Sequence, residues 1–245
     1  MNKGDILNSG TNPAGSKRNA GVSWSGDISS AGSPGAHRLY SAQDMARISS
    51  SACAGCGACC RGMGDTIVLD PYDVWQLTKG LGRPFGELLG SCADLHVEEG
   101  VILPHLKMRE ETESCAFLGT DGRCTVHAYR PGICRLFPLG RQFDDKKTSY
   151  FIVPNGCVKG GLSKVRIDRW IGIEDLPRYE EYKAEWRSLL RTLQARIAAE
   201  PSAEVQRNVN LYFLRTFYMT PYEGDAAAFY GELAARTRDF AAAAL

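Results

Sequence analysis

Four cysteines within eight residues constrain this chain more than any other feature of its sequence. Cys53, Cys56, Cys59 and Cys60 are separated only by Gly and Ala. These small residues let the backbone turn successive side chains toward one point. Because the sulfur ligands of a metal must converge in this way, the segment is predicted to be a loop that holds a metal centre.

The spacing leaves the metal open between an iron–sulfur cluster and zinc. Three cysteines with two-residue gaps match the local spacing of ferredoxin-type 4Fe–4S clusters, whose ligand set a distant cysteine completes. Zinc more often uses separated pairs, and Cys53 with Cys56 fits one such pair. Adjacent side chains point to opposite sides of an extended chain, so either Cys59 or Cys60 can face a second centre or the core.

The remaining cysteines also occur in groups. Of nine in total, five lie between Cys53 and Cys92, four lie between Cys115 and Cys157, and none follows. The first thirty residues contain no apolar core of a secretory signal, so we expect a cytoplasmic, reducing compartment. In that compartment such groups indicate metal binding before disulfides. Cys92 stands alone among apolar and small residues and is predicted to be a packing residue.

Charge and hydropathy argue against two classes of partner. A formal net charge of +1 over 245 residues gives no electrostatic footprint for nucleic acid or for an anionic membrane. No apolar run approaches the roughly 20 residues that a membrane helix needs. We therefore expect neither a nucleic-acid nor a membrane partner.

The chain is predicted to have an α+β fold in three regions. Residues 1–45 are rich in Gly and Ser without periodicity, which is typical of a flexible tail. Residues 46–165 contain every cysteine among short strands and turns, and are predicted to form a small irregular metal-cluster domain. Residues 166–245 are predicted to be helices that pack with this domain and offer a surface for a possible protein partner.

Local patterns predict individual elements. The run Asp-Pro-Tyr-Asp at 70–73 has the chemistry of a helix start, and Gly82 is a stop signal. Ser-Ala-Gln-Asp at 41–44 resembles a capping box ahead of another short helix. Asp121-Gly122 is a turn signal between apolar segments. In the last region one helix face is predicted to carry Trp186, Leu189, Leu190, Leu193 and Ile197.

Whether the chain is an enzyme stays open at this point. It contains no GxGxxG after a strand and no GxxxxGK[ST], and Met63 stands where a radical-enzyme CxxxCxxC would need its third cysteine. His96, His105 and His127 are interpreted first as solvated or core residues, with a Cys–His nucleophile as the alternative. No catalytic residue is assigned.

Four arginines lie within a few residues of a cysteine. Metal-bound thiolates carry negative charge and need nearby donors that tune them, so these side chains are candidates for that role. The alternative is that they are ordinary surface charges. They are Arg61, Arg123, Arg130 and Arg135.

Further motifs follow the cysteine run in a fixed order. They are Ile-Val-Leu-Asp at 67–70, Cys-Ala-Phe-Leu at 115–118, Gly-Arg-Cys-Thr-Val-His at 122–127, Arg-Pro-Gly-Ile-Cys-Arg-Leu-Phe-Pro at 130–138 and Asn-Gly-Cys at 155–157. Together with CxxCxxCC, they resemble the YkgJ-type zinc- or iron-chelating domain family. The 130–138 segment matches that family's RPxxCRxFP, and the resemblance spans about residues 50–162.

The resemblance implies a bound zinc or iron–sulfur (4Fe–4S) centre. The candidate ligands that it implies are Cys53, Cys56, Cys59, Cys60, Cys115, Cys124, Cys134 and Cys157. The family often has Tyr where this chain has His127, which argues against an obligatory histidine ligand. Flagellin lysine-N-methylases carry a similar cysteine cluster, so a cluster-dependent enzyme in protein modification is one alternative. A metal-handling or protein-interaction module is another.

Overall fold

The computed structural model describes residues 38–49, 56–144, 147–154, 156–157 and 161–245. In these ranges helices combine with short antiparallel strands, which confirms the predicted α+β class. The strands are β1 (Met45–Ile48), β2 (Ala93–Glu98), β3 (Val101–Leu106), β4 (Met108–Arg109), β5 (Ser114–Cys115), β6 (Leu139–Phe143), β7 (Thr148–Ile152) and β8 (Ser163–Arg166). The α-helices are α1 (Pro71–Leu81), α2 (Phe85–Leu88), α3 (Gly132–Leu136), α4 (Ile167–Ile171), α5 (Leu176–Ala199), α6 (Ala203–Leu214) and α7 (Ala226–Ala244).

The strands pair only in twos. In the described ranges the ladders are β1 with β8, β2 with β3, β4 with β5 and β6 with β7, all antiparallel. An isolated two-stranded ladder is marginally stable in water, so each pair depends on what packs against it. The region that contains the cysteines is therefore held together by loop contacts and neighbouring helices more than by a sheet.

Helix α1 begins as its sequence predicts. The Asp70 carboxylate accepts the amide N–H of Asp73 at 2.8 Å, the Asp73 carboxylate accepts the Asp70 amide at 3.2 Å, and Pro71 takes the first helical position. Gly82 ends the helix in the left-handed region at φ 64°. Gly80 lies in the last turn, where a Cβ would come within 2.3 Å of the Tyr129 ring. This close approach brings α1 against the segment that leads to Cys134.

The prediction that a short helix begins at Ser41 is wrong. The Ser41 amide donates to the Asp44 carboxylate at 2.6 Å, but the chain then enters strand β1. Ala46 and Ile48 are buried while Met45 and Arg47 are exposed, which is the alternation of a half-buried strand. Pairing with β8 therefore overrides the local capping pattern.

The helices after residue 166 pack an aromatic core. The predicted face of α5 is confirmed for Trp186, Leu189, Leu193 and Ile197, which are buried, while Leu190 is half-buried. The Trp186 ring packs against Phe213 and Phe217 with centroids 5.6 and 5.1 Å apart. Buried residues of this core and of the cysteine-containing region form one apolar cluster. The two parts are also joined by a hydrogen bond from the Tyr72 amide to the Tyr182 hydroxyl at 3.3 Å.

None of the helices in the described ranges has the length and apolar character that a membrane span requires. The flexible tail was predicted for residues 1–45, and residues 1–37 of it lie outside the described residues. The three-region organisation stays a prediction.

Candidate metal centre

The second half of the CxxCxxCC run forms a tight turn. Ala58–Cys60 is a single 3-10 turn in which the Cys60 amide donates to the Gly57 carbonyl at 3.1 Å. Gly57 has φ 58°, a left-handed conformation that glycine adopts without strain. A Cβ there would meet Leu118 Cδ1 at 3.1 Å, so the turn packs directly on the chain after Cys115.

Backbone pairing brings this turn to Cys115. Arg61 pairs with Ser114 in an isolated antiparallel bridge, and the Gly62 amide donates to the Glu113 carbonyl at 2.7 Å. Cys115 is the next residue, and it is buried in β5. Two cysteine segments more than fifty residues apart in sequence are thus adjacent in the fold.

The predicted turn at Asp121-Gly122 reverses the chain and brings Cys124 back toward the segment of Cys115. Gly122 has φ 75°, and Leu118 pairs with Cys124 in an antiparallel bridge. The Thr125 amide donates to the Phe117 carbonyl at 2.9 Å. The Asp-Gly signal in the sequence is therefore confirmed as the reversal that places Cys124 beside the β5 segment.

Cys134 is positioned by a buried carboxylate. It lies in α3, whose first residue, Gly132, donates its amide to Asp73 Oδ1 at 2.7 Å. A Cβ on Gly132 would lie 2.1 Å from the Tyr179 hydroxyl oxygen and 3.5 Å from Asp73 Oδ1. Only glycine fits there, so the Arg-Pro-Gly-Ile-Cys segment is clamped between α1 and α5.

The charges of five thiols influence the pKa values of one another. Negative charge on Cys59, Cys115 and Cys134 raises the pKa of Cys60, after the larger contributions of its hydrogen bond with Cys59 and of burial. The pKa of Cys134 is raised first by burial and then by charge on Cys115, Asp73, Cys124 and Cys59. The five cysteines, Cys59, Cys60, Cys115, Cys124 and Cys134, come from four segments of the fold.

The pKa shifts show that these thiols are not equivalent. The hydrogen bond with Cys60 lowers the pKa of Cys59, so the adjacent pair favours one thiolate and one thiol. Burial raises the pKa of Cys115 and of Cys124. Burying several thiolates beside one another is unfavourable unless a cation balances their charge.

Amide groups point at two of the sulfurs. The Phe117 amide donates to Cys115 Sγ at 3.4 Å, and the Val126 amide lowers the pKa of Cys124 by the same kind of hydrogen bond. N–H donors to sulfur are a recurring feature of thiolate-bound metal centres, because they disperse the negative charge of the ligands. The donor set therefore fits a soft metal or an iron–sulfur cluster.

The thiols are neighbours without forming a closed ligand shell. Among the described residues, which omit Cys53, no three Cys, His, Asp or Glu side chains are placed to hold one ion. All eight described cysteines are free thiols. Metal binding would thus require side-chain rotation about a backbone arrangement that already brings the sulfurs together.

The other predicted ligands and Cys92 lie as follows. Cys56 and Cys157 are half-buried, and Cys53 lies outside the described residues, so their part in the site stays a prediction. Cys92 is also half-buried, and its charge is a minor contribution to the raised pKa of Cys115. Cys92 is thus closer to the cluster than its isolated position in the sequence indicates.

The candidate arginines divide clearly. Arg61 and Arg123 are exposed. Arg135 donates to the backbone, through Nε to the Arg130 carbonyl at 3.1 Å and through Nη2 to the Ala128 carbonyl. Arg130 is half-buried, and burial together with the charge of Arg135 lowers its pKa, while charge on Cys134, Cys124 and Cys59 partly opposes this shift. Arg130 is therefore the candidate arginine that shares the field of the thiols.

The histidines have other partners. His127 Nε2 contacts Arg130 Nη1. Burial and the charges of Arg130 and Arg135 lower the pKa of His127, which favours the neutral ring as the acceptor of that contact. His105 is buried with Nδ1 bonded to the Asp65 carbonyl, and its ring centroid lies 4.6 Å from that of His96. In the described residues these histidine contacts are thus with an arginine, a backbone carbonyl and a second histidine ring.

Two residues of the site were not found by sequence reasoning. Asp73 was seen only as a helix-start residue, although its second role is to hold Gly132. Arg109 donates to the carbonyls of Leu118 at 3.0 Å and Ala116 at 2.6 Å, and its charge lowers the pKa of Cys115. No spacing pattern marks Arg109, because its contacts depend on how the chain folds around Cys115.

Fold and site together define a cysteine-rich α+β protein whose neighbouring thiols suit a thiophilic metal. Residues 52–157 match the CxxCxxCC family, described as a "putative zinc- or iron-chelating domain". This match confirms the resemblance based on the motifs. Comparisons with curated proteins and with solved structures find no match.

Proposed function

We propose that residues 52–157 hold a thiolate-bound metal centre, an iron–sulfur cluster or zinc, which ties together segments that lack a common sheet. Its ligands are drawn from Cys53, Cys56, Cys59, Cys60, Cys115, Cys124, Cys134 and Cys157. The observation that supports the proposal is the gathering of five of these thiols, with amide donors on two of them.

The chain's own residues prepare the ligands. The Gly57 turn and the Arg61–Ser114 bridge hold Cys59 and Cys60 beside Cys115, and Asp73 holds the segment of Cys134. A bound metal would supply the positive charge that makes several thiolates close together favourable, and a cluster would add an electron-transfer centre. Of the two, the CxxCxxC run favours the cluster.

Metal and acid-labile sulfide analysis with an absorption spectrum tests the proposal on protein purified without oxygen. Iron with sulfide and broad absorption near about 400 nm, from sulfur-to-iron charge transfer, would identify a cluster. Stoichiometric zinc in a colourless protein would identify a structural site. Wild-type protein that holds neither metal, before and after reconstitution, would overturn the proposal.

Two matched cysteine variants sharpen the test. Cys134→Ser is expected to lose most of the bound metal, because this thiol lies among the other four. Cys92→Ser is expected to retain the metal content of the wild type. Equal loss in both variants would show that the proposed ligand set is wrong.

A further inference from the structure

We infer that Arg130 is the charge-compensating residue of the centre and that its buried Nε–H donates a hydrogen bond to a thiolate ligand when the metal is bound. This inference rests on the proposed function, since it assigns a role at the same metal centre. It differs from the ligand assignment because Arg130 would bind no metal and would act through the sulfurs.

The first observation is an unpaired donor. Arg130 Nε is buried and has no hydrogen-bond partner among the described residues. A buried donor without an acceptor is unfavourable, so its presence in a fold calls for a physical reason. A thiolate ligand that turns inward on metal binding would be such an acceptor.

The second observation is the position of the guanidinium group. One end is held by His127, which contacts Nη1, while the carbonyl of Arg130 accepts the Nε–H of Arg135 at 3.1 Å. The charges of Cys134, Cys124 and Cys59 act on the same guanidinium. The guanidinium group is therefore held by His127 at Nη1, and it lies within reach of the charges of three thiols.

The third observation is that the other arginines near the cysteines either donate to the backbone or are exposed to solvent. Arg109 and Arg135 donate to backbone carbonyls. Arg61 and Arg123 are exposed, where water screens their charge. Among the described arginines next to the cysteines, Arg130 combines partial burial with a donor still available.

The test compares Arg130→Gln, Arg130→Lys and the control Arg123→Gln in the full chain loaded with its metal. Competition with a chromogenic chelator gives the metal affinity, and acidification gives the pH of half-release. Arg130→Gln is expected to weaken affinity about 10–100-fold, the usual cost of losing an outer-shell partner. Its half-release pH should rise, because protons compete better for less stabilised thiolates.

The variants separate charge from packing. Arg130→Lys should recover part of the affinity and of the half-release pH, whereas a purely structural role would leave both substitutions equally impaired. Arg123→Gln should match the wild type. If Arg130→Gln does not fold, His127→Phe removes the contact that holds Nη1 and should weaken affinity severalfold with the charge retained.

The inference is overturned if Arg130→Gln, or His127→Phe in its place, matches the control in affinity and half-release pH while the wild type binds metal. It is also overturned if Lys gives no recovery. A wild type that binds no metal instead overturns the proposed function, so the two failures are distinguishable.

Discussion

Gly132 shows how one residue can set the position of a predicted ligand, Cys134. Its amide is bonded to Asp73, and its α-carbon lies so close to Tyr179 that a side chain has no room. The helix that carries Cys134 is thus held against α1 and α5 at a distance that glycine alone permits. Close approach of backbone to another group is a common reason for glycine at a fixed position.

Gly132→Ala is expected to destabilise the protein by about 1–3 kcal/mol, since the added methyl must displace Tyr179 or α3. Chemical denaturation measures this loss. Tyr179→Phe in the same background should recover part of it, because the hydroxyl is the nearest atom to the added Cβ. Gly231→Ala is the matched control, as a Cβ there meets nothing within 4 Å. Equal effects at Gly132 and Gly231 would contradict this account.

At the scale of the element, α1 is the part that links the cysteine-containing region to the C-terminal helices. The carboxylate of its cap residue Asp70 accepts a hydrogen bond from the Lys183 ammonium of α5 at 2.8 Å, and the Asp73 carboxylate accepts one from the Gly132 amide. Both carboxylates are buried. Burial, and then the charge of Asp70, raises the pKa of Asp73 to about 7.

The raised pKa of Asp73 predicts a pH dependence of stability. An acid whose pKa is near 4 in the unfolded chain and higher in the fold loses stability as pH rises between the two values. Asp73→Asn cannot ionise, so the stability of the wild type relative to this variant should fall as pH rises from about 4 to about 7. Urea denaturation at several pH values measures the difference. A difference that is constant with pH would contradict the prediction.

The elements differ in how far the sequence could predict them. The capping run at 70–73, the Asp121-Gly122 turn and the α5 face act through local backbone geometry or periodicity, and all three were confirmed. The same kind of pattern failed at Ser41, where pairing of β1 with the distant β8 decides the conformation. Arg109 and the Asp73–Gly132 bond were missed because they depend on contacts between distant segments.

At the scale of the whole molecule, four small ladders and seven α-helices share one apolar core in the described ranges. The cysteine segments lie where this core has the least regular structure. A metal centre there would replace the cross-linking that a larger sheet provides in other folds. Loss of the metal should therefore lower the stability of the fold beyond the loops that bind it.

Removal of the metal is expected to lower the midpoint of thermal unfolding by at least ~10 °C, because binding free energy adds to folding free energy. Calorimetry before and after chelation measures the shift, and restoration of the metal is the control. The C-terminal helices should lose stability together with the metal region, since Lys183 and Tyr182 join the two. An unchanged midpoint after verified removal would show that the centre does not organise the fold.

X-ray absorption at the edge of the bound metal tests the central claim most directly, because it identifies the ligand atoms without relying on variants. The account predicts a first shell of sulfur at about 2.3 Å, the thiolate distance of zinc and of comparable sites. A shell dominated by nitrogen or oxygen at about 2.0–2.1 Å would mean that the cysteines do not hold the metal.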